Sequence, residues 1–575
     1  MMNEFLPLII ACAVIGLFTL AFVAAYFVLK RRVKHPENER HMSDAYLIRR
    51  LLQYAKPYTG QFILVFFVML LSIAYDVLSP MLLGKVQGLI KVENFQLSRL
   101  YAMVALYAGI LIVSMVCTYF QAMILQSVGQ KILTQIRLDT FTRIESLSHE
   151  QLNQIPVGKL VTRVSNDPNS ISYLFTNILV TLLKNTMVII GVLGAMLVLN
   201  YALTLMVLCF VPFLVVFTLI FQRFSREVHR KVNNTRTDVN TYLSENLSGM
   251  KITQIFNRED VKMEEFLDKS HRLQRAKYNR MLVFGIFRPM VYMLFVTSNL
   301  FLFYIGCRGY IQDTTFLGQT ITSEIVVSFY MYISKFFNPI QALAEQFDML
   351  QQSFASAEKI FTILDMEPEV VDAPDAIELE QIRGEIEFKD VWFAYKPGEW
   401  VLKGVSFHVE PKQTVAFVGS TGSGKTTILS LICRNYDIQK GQILIDGMDI
   451  RKIKIASLRR HFGQMLQDVF LFSGDIRSNI LLRMEGVSDE EVWQAARYVN
   501  ADTFIKRLEH GLDEVVRERG NNFSAGQRQL LSFARTIIHK PDVIILDEAT
   551  ANIDTETEQL IQDSLEKIIL TVSVM

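Results

Sequence analysis

The chain has 575 residues, 51% of them hydrophobic, and a mean hydropathy of +0.26, high for a soluble protein. Its formal charge of +1 gives no overall basic bias toward nucleic acid. Five scattered cysteines (Cys12, Cys117, Cys209, Cys307 and Cys433) make no C-x-x-C pair, which argues for reduced core or lipid-facing residues and against a disulfide or metal framework.

Residues 5–29 carry no charge. At about 1.5 Å per residue they suffice to cross about 30 Å of hydrocarbon. Positive charge follows this run, at Lys30–Lys34, instead of preceding it as in a signal peptide. A retained helix with its C-terminal end in the cytoplasm is the first expectation; Met42 offers a second start, with the helix as an upstream extension. Tyr46–Tyr58 mixes Leu, Ile and Tyr with Arg and Lys, the pattern of a helix along the inner interface. Six more spans are expected near 61–83, 100–125, 172–199, 203–224, 283–307 and 321–344. The connections 126–171 and 225–282 are long and polar, and the second is dense in basic residues from Arg226 to Arg280. The turn at Asn200–Ala202 has none, so the long connections belong to the cytoplasm. Their helical character predicts rods continuing past the membrane, with tips near 149–167 and 245–260.

Within the spans, Lys184 and Arg288 sit near the inner ends, where long cations snorkel. Asp76 and Lys335 lie deeper. They would either line a substrate cavity, with Asp76 favouring a cationic ligand, or belong to packing. The many Phe and Met residues suit an adaptable apolar pocket, or ordinary core and lipid contact.

A helical stretch to Leu364 precedes a proline- and acid-containing linker, Asp365–Leu379, and from Gly384 the composition turns α/β. There Gly419–Thr427 (GSTGSGKTT) matches G-x-x-x-x-G-K-[ST] without departure. Gly419, Gly422 and Gly424 allow the backbone, with Ser420, Thr421 and Ser423, to turn its N–H groups into one hollow for phosphate oxygens. Lys425 would reach the β- and γ-phosphates, and the Thr426 hydroxyl would take a Mg²⁺ position. Thr414–Gly419 reads as a buried strand and Thr426–Ile432 as the following helix. Val543–Glu548 (VIILDE) reads as a buried parallel strand ending in carboxylates. Asp547 would bind Mg²⁺, and Glu548 would orient and deprotonate the attacking water. Phe523–Gln527 opens a helical run and would present N–H groups to a γ-phosphate, Gln467 would approach the metal or water, and Tyr395 would stack on a base. Taken singly, these three read first as structural: a cap, a solvated amide and a packed aromatic.

With these motifs in order, residues 43–571 resemble half of an ATP-binding cassette (ABC) exporter, of the bacterial multidrug- and lipid-exporting kind. The resemblance implies an α-helical membrane domain of six helices, here with one extra N-terminal helix, fused to an α/β P-loop nucleotide-binding domain. The implied divisions are 1–41 (extra helix and basic linker), 42–364 (membrane domain with coupling segments), 365–383 (linker) and 384–575 (cassette domain). Tyr395 matches the adenine-stacking aromatic, Gly419–Thr427 the Walker A loop, and Gln467 the Q-loop. Glu518–Gly520 resembles the X-loop, and Ser524, Ala525, Gly526 and Gln527 the signature. Asp547 and Glu548 match the Walker B pair, and Ala551–Asp554 the D-loop, with Asp554 at the nucleotide. Gly158–Asp167 and Glu245–Glu259 resemble the segments carrying coupling helices. The implied catalytic residues are Glu548 and Gln467, and the implied Mg²⁺ ligands Thr426, Gln467 and Asp547. The cofactors are ATP and Mg²⁺, and the location a cell membrane with the cassette in the cytoplasm. Family members work as dimers that sandwich two nucleotides between Walker motifs and the opposite signature. The implied activity is ATP-driven export of amphiphilic or hydrophobic, drug- or lipid-like substrates by alternating access. Expected partners are a second half-transporter, membrane lipid and an amphiphilic small molecule, with no nucleic acid.

The chain departs from the pattern in three places. Ala525 stands where the signature has Gly, which favours a heterodimer with unequal sites over a homodimer. The sequence stops at Met575, before the family's next strand and its γ-phosphate-contacting histidine; none of the nine histidines replaces it by position. Weakened hydrolysis with retained binding is therefore expected, and the competing expectation is an ATP-binding but hydrolysis-impaired subunit of a heterodimer. The first helix is the third departure, lying outside the family's six.

Overall fold

The computed structural model describes residues 42–90, 97–311, 315–420, 422–465 and 469–547, with 559, 562–563, 566 and 573–574 beyond them. The expected first span, 5–29, lies outside these. The chain divides into two compact units, one of Met1–Thr142 with Gly158–Asp365, the other of Arg143–Val157 with Met366–Met575.

In the first unit, α1 (Asp44–Ala55) starts at Ser43, whose hydroxyl accepts from the Tyr46 amide. Leu47, Leu51 and Ala55 recur every four residues and are its buried face. A 3-10 turn, Lys56–Tyr58, leads into α2 (Thr59–Ile90). Next come α3 (Leu97–Ser146), then α4 (His149–Gln154), which belongs to the second unit, and, back in the first, α5 (Val157–Ser165) and α6 (Asp167–Tyr173). A π-turn, Leu174–Ile178, joins α6 to α7 (Leu179–Leu199).

The expected span 203–224 is broken: α8 (Tyr201–Leu208) and α9 (Val211–Ser248) are separated at Cys209–Phe210. Pro212 causes the division, because a proline fits the first turn of a helix, where its missing N–H needs no partner. The unit closes with α10 (Met250–Ile255), α11 (Glu259–Ile311) and α12 (Ser323–Leu364). At 50 and 53 residues, α3 and α11 extend about 75–80 Å, more than twice a hydrocarbon core.

Among the described residues, five helical stretches are long and apolar enough to span a membrane: Asp44–Leu89, Leu97–Ser146, Val157–Leu199, Tyr201–Ser248 and Glu259–Ile311. The sixth expected span, 321–344, falls in α12 and is not among them.

Two cores fill this unit. One gathers Met69 and Ile73 of α2, Val192 of α7, Phe217 and Phe221 of α9, Phe287 of α11 and Phe329 of α12. Phe221 and Phe287 stack there at 3.9 Å. The other joins the buried face of α1 to Val128, Ile132 and Ile136 of α3, to Ile171 and Phe175, and to Phe361 of α12.

The deep charges neutralise each other. Lys335 Nζ of α12 donates to Asp76 Oδ1 of α2 at 2.7 Å and lies 4.9 Å from the Tyr75 ring centroid. Asp76 thus has an internal cation. Arg288 reaches Glu345 at 3.4 Å.

In the second unit, β1 (Ile386–Ala394) pairs antiparallel with β2 (Trp400–Val409) and with β3 (Lys440–Ile445), which in turn pairs with β4 (Met448–Asp449). Helix α13 (Lys425–Ile432) lies between β2 and β3 in sequence. After α14 (Ile455–His461), strand β5 (Phe462–Met465) pairs in parallel with a later strand, β8 (Val543–Leu546). Between β5 and β8 run β6 (Gly474–Asp475), α15 (Ile476–Leu481), α16 (Asp489–Tyr498), α17 (Asp502–Ile505), β7 (Val515–Val516) and α18 (Ala525–Ile538). Strand β9 (Ser573–Val574) pairs with the other edge of β8.

That pairing corrects one expectation. Thr414–Gly419 was expected as a buried strand, yet Val415–Gly419 lies in no strand, and Val418 is 93% exposed. A strand has two hydrogen-bonding edges. β8 pairs along one edge with β5 and, at Val543 and Ile544, along the other with β9; it does not pair with the 414–419 segment. The expected linker is anchored as well. Leu379 exchanges hydrogen bonds with Ser457 of α14, and Ile377 bridges to Ile453.

Removing one partner of the Asp76–Lys335 pair strands a charge among helices. Lys335→Met is expected to destabilise the purified protein by about 2 kcal/mol, and Asp76→Asn with Lys335→Met to recover most of it. Thermal unfolding in detergent measures both; equal losses in single and double variants would contradict the pairing.

Candidate nucleotide-binding site

The site is built around β8, whose residues alternate between two cores as a strand's side chains must. Val543 and Ile545 face the core of β1, β2, α13 and β3, whereas Ile544 faces the core of α15, α16, α17 and α18. β5 runs beside it in register, Phe462 opposite Val543 and Met465 opposite Leu546. The Asp547 amide donates to Met465 O at 3.2 Å, so the pairing continues to the first acid.

The glycine loop then meets that acid. Thr426 Oγ1 donates to Asp547 Oδ1 at 3.3 Å, across 121 residues of sequence. Gly424 opens α13 at φ 94°, a left-handed conformation that a side chain would strain, and an added Cβ would lie 2.8 Å from Leu402. Gly422 has φ 84°. Within the loop, the Ser423 amide donates to Ser420 O at 3.2 Å, and Lys425 Nζ donates to the carbonyls of Gly419 at 2.6 Å and Ser420 at 3.3 Å. The lysine is thereby held over the loop that would cradle phosphate. Thr427, the residue after Thr426, shares a 3.0 Å hydrogen bond with the Tyr395 hydroxyl. Tyr395 is 39% exposed and rests edge-on against Phe393 and Tyr436, leaving ring surface open for stacking. Thr421, Gln467, Glu548 and Asp554 lie outside the described residues.

The Thr426 hydroxyl and Asp547 carboxylate are hard oxygen donors, the kind Mg²⁺ takes. Among the described residues, no group of three or more His, Cys, Asp or Glu is placed to hold a metal. Two protein ligands suffice for Mg²⁺ where substrate phosphates and water complete the shell.

At the signature, Ser524 caps α18: its hydroxyl accepts from the Gln527 amide at 3.2 Å, and the Gln527 side chain accepts from the Ser524 amide at 2.9 Å. Ala525 is exposed in the first turn and Gly526 is buried. At the other end of α18, burial and then Arg535 lower the pKa of His539. A helix C-terminus alone would favour the cation; desolvation and the neighbouring guanidinium outweigh it.

Cys433 ends α13, and burial pushes its thiol up to about 12.

One part of the unit was missed in sequence. Tyr436 packs edge-on against Tyr395 (5.2 Å between centroids) and against His149 of α4 (5.9 Å), so one ring touches both the candidate base-stacking residue and the short intracellular helix. Gln151 donates to Glu367 O at 2.8 Å, and burial followed by the Glu369 charge raises the pKa of Glu150. Tyr436 belongs to no motif, and only the fold brings it to residues 287 positions away at His149.

The family model of the ABC transporter transmembrane region matches residues 62–340, and that of the ABC transporter domain matches 402–551. The probable multidrug resistance ABC transporter ATP-binding/permease protein YheH of Bacillus subtilis (strain 168) is 35% identical over 84% of this chain and 72% of its own length. This chain belongs to the ABC transporters. An ATP-dependent lipid A-core flippase of Syntrophus aciditrophicus (strain SB) is 30% identical over 91% of this ABC protein and 86% of the flippase. A bacterial Atm1-family ABC exporter with ATP bound superposes with a TM-score of 0.73 at 26% identity, covering 90% of this chain and 91% of that one. The chain is thus a multi-pass membrane protein with a cytoplasmic ATP-binding domain, an ATPase coupled to export.

Tyr436→Ala removes an edge-on aromatic contact worth about 1 kcal/mol. Amide exchange across Glu150–Ile155 is expected to quicken about fivefold; unchanged exchange would show that the ring does not hold α4. Separately, an unfolded histidine takes its proton near 6.5 and the folded His539 below that. Its contribution to stability is therefore full above about 6.5 and is lost as pH falls through the folded value. All three tryptophans (Trp392, Trp400 and Trp493) lie in the second unit, so tryptophan fluorescence follows its unfolding. His539→Gln is expected to flatten the loss of its melting temperature between pH 7 and 5.

Proposed function

We propose that this ABC exporter moves an amphiphilic or hydrophobic, drug- or lipid-like solute by alternating access, as one half of a dimer. The 3.3 Å contact between Thr426 and Asp547 carries the catalytic part, because it joins the phosphate loop to the metal-binding acid. Thr426 and Asp547 hold Mg²⁺, with Gln467, and the ion neutralises phosphate charge when bound. The loop 419–427 and Lys425 bind the phosphates, and Tyr395 stacks on the base. Glu548 takes the proton of the attacking water, and Gln467 helps orient that water. Ser524 to Gln527 and Asp554 face the nucleotide held by the opposite subunit.

The substrate class is supported by the multidrug and lipid-flipping relatives and by the Phe-rich core of the membrane unit. The partner is a different half-transporter. Ala525 supports this: it puts a methyl group in the first turn of α18, where the resemblance expects glycine close to phosphate.

The deciding experiment is ATP hydrolysis and vesicle uptake by the reconstituted protein, copurified with its partner from native membranes. Glu548→Gln is expected to retain ATP binding and to lower hydrolysis at least about a hundredfold. Full-rate hydrolysis by that variant, or recovery only of identical subunits, would overturn the respective part.

A further inference from the structure

A cavity of about 490 Å³ opens in the membrane unit between α1, the first turn of α2 and the π-turn that leads into α7. Its volume is that of a small-molecule site. Nothing in the described export cycle uses it.

Its lining divides by chemistry. Arg49 and Lys56 provide two cations and, among the described residues, no acidic side chain lines the cavity, whereas Leu52, Phe62, Phe175 and Leu179 provide apolar wall. The division follows from the helix. Leu47, Leu51 and Ala55 bury one face of α1, so Arg49, Leu52 and Lys56, at spacings of three and four, share another. The two cations stand about 10 Å apart along the axis, far enough to flank one headgroup. Neither has an ion-pair partner among the described residues, whereas the adjacent Arg50 is paired with Asp365 at 2.5 Å. Leu52 is 55% exposed beside them. An apolar cavity with a cationic rim is costly in water but natural at the cytoplasmic interface, where anionic headgroups meet acyl chains.

We propose that this cavity binds one acidic phospholipid of the cytoplasmic leaflet, its phosphate between Arg49 and Lys56 and an acyl chain along Leu52, Phe62, Phe175 and Leu179. The bound lipid would fix α1 against the start of α2, so the site couples membrane composition to the packing of the inner end of the unit.

Native mass spectrometry of the full chain in detergent, titrated with phosphatidylglycerol or phosphatidylcholine, tests this. Wild type is expected to retain one phosphatidylglycerol in preference to phosphatidylcholine. The Arg49→Gln, Lys56→Gln variant is expected to bind phosphatidylglycerol at least about tenfold more weakly, and Arg49→Lys, Lys56→Arg to keep it. Leu179→Trp leaves the charges and fills the cavity; it is expected to lose the lipid as well. Equal retention of the two lipids, undiminished binding in the glutamine variant, undiminished binding in Leu179→Trp, or displacement by millimolar inorganic phosphate would overturn the proposal.

Discussion

The parallel pairing of β5 with β8 is the constraint on which the cytoplasmic unit depends. It buries β8 on both faces, so alternate residues must serve two separate cores. It also ends both strands together, since the Asp547 amide still bonds to Met465 O. The acid that meets Thr426 is therefore placed by backbone hydrogen bonds, and its position does not rest on its own side chain. A substitution at Val543 or Ile545 would disturb one core and a substitution at Ile544 the other, and each lies on the strand that carries the acid of the loop contact.

Charge is handled differently in the two units. In the membrane unit, Asp76 and Lys335 neutralise one another between α2 and α12, and the hydroxyl of Tyr332 donates to Val77 O beside them. Pairing keeps deep charges compatible with hydrocarbon, where a lone charge costs several kilocalories. In the cytoplasmic unit, Lys425 bonds to loop carbonyls, groups that carry no net charge. Its positive charge is therefore left for an anion.

Much of this was legible before any coordinates. The glycine loop, the acid at the end of VIILDE and the cap at Ser524 each need particular residue types at fixed spacing, and local chemistry announces them. The rods were legible because an apolar run followed by a helical polar run leaves few alternatives. Three features were not. The strand expected at Thr414–Gly419 depends on which segments occupy the edges of β8, a matter of tertiary competition. The break at Cys209–Phe210 was hidden inside a continuous apolar run, although Pro212 was the available signal. Tyr436 has neither motif nor periodicity, and its value comes only from lying between Tyr395 and His149 in the fold.

Cys433 carries a consequence of another kind. With its thiol pushed up by burial, Cys433 forms little thiolate at neutral pH. The thiolate is the species that oxidants and alkylating reagents attack. The helix that begins at the phosphate loop thus ends in a sulfur that is chemically silent, whereas Cys209 and Cys307 in the membrane unit are exposed. A thiol reagent applied to the intact protein would leave the nucleotide fold untouched.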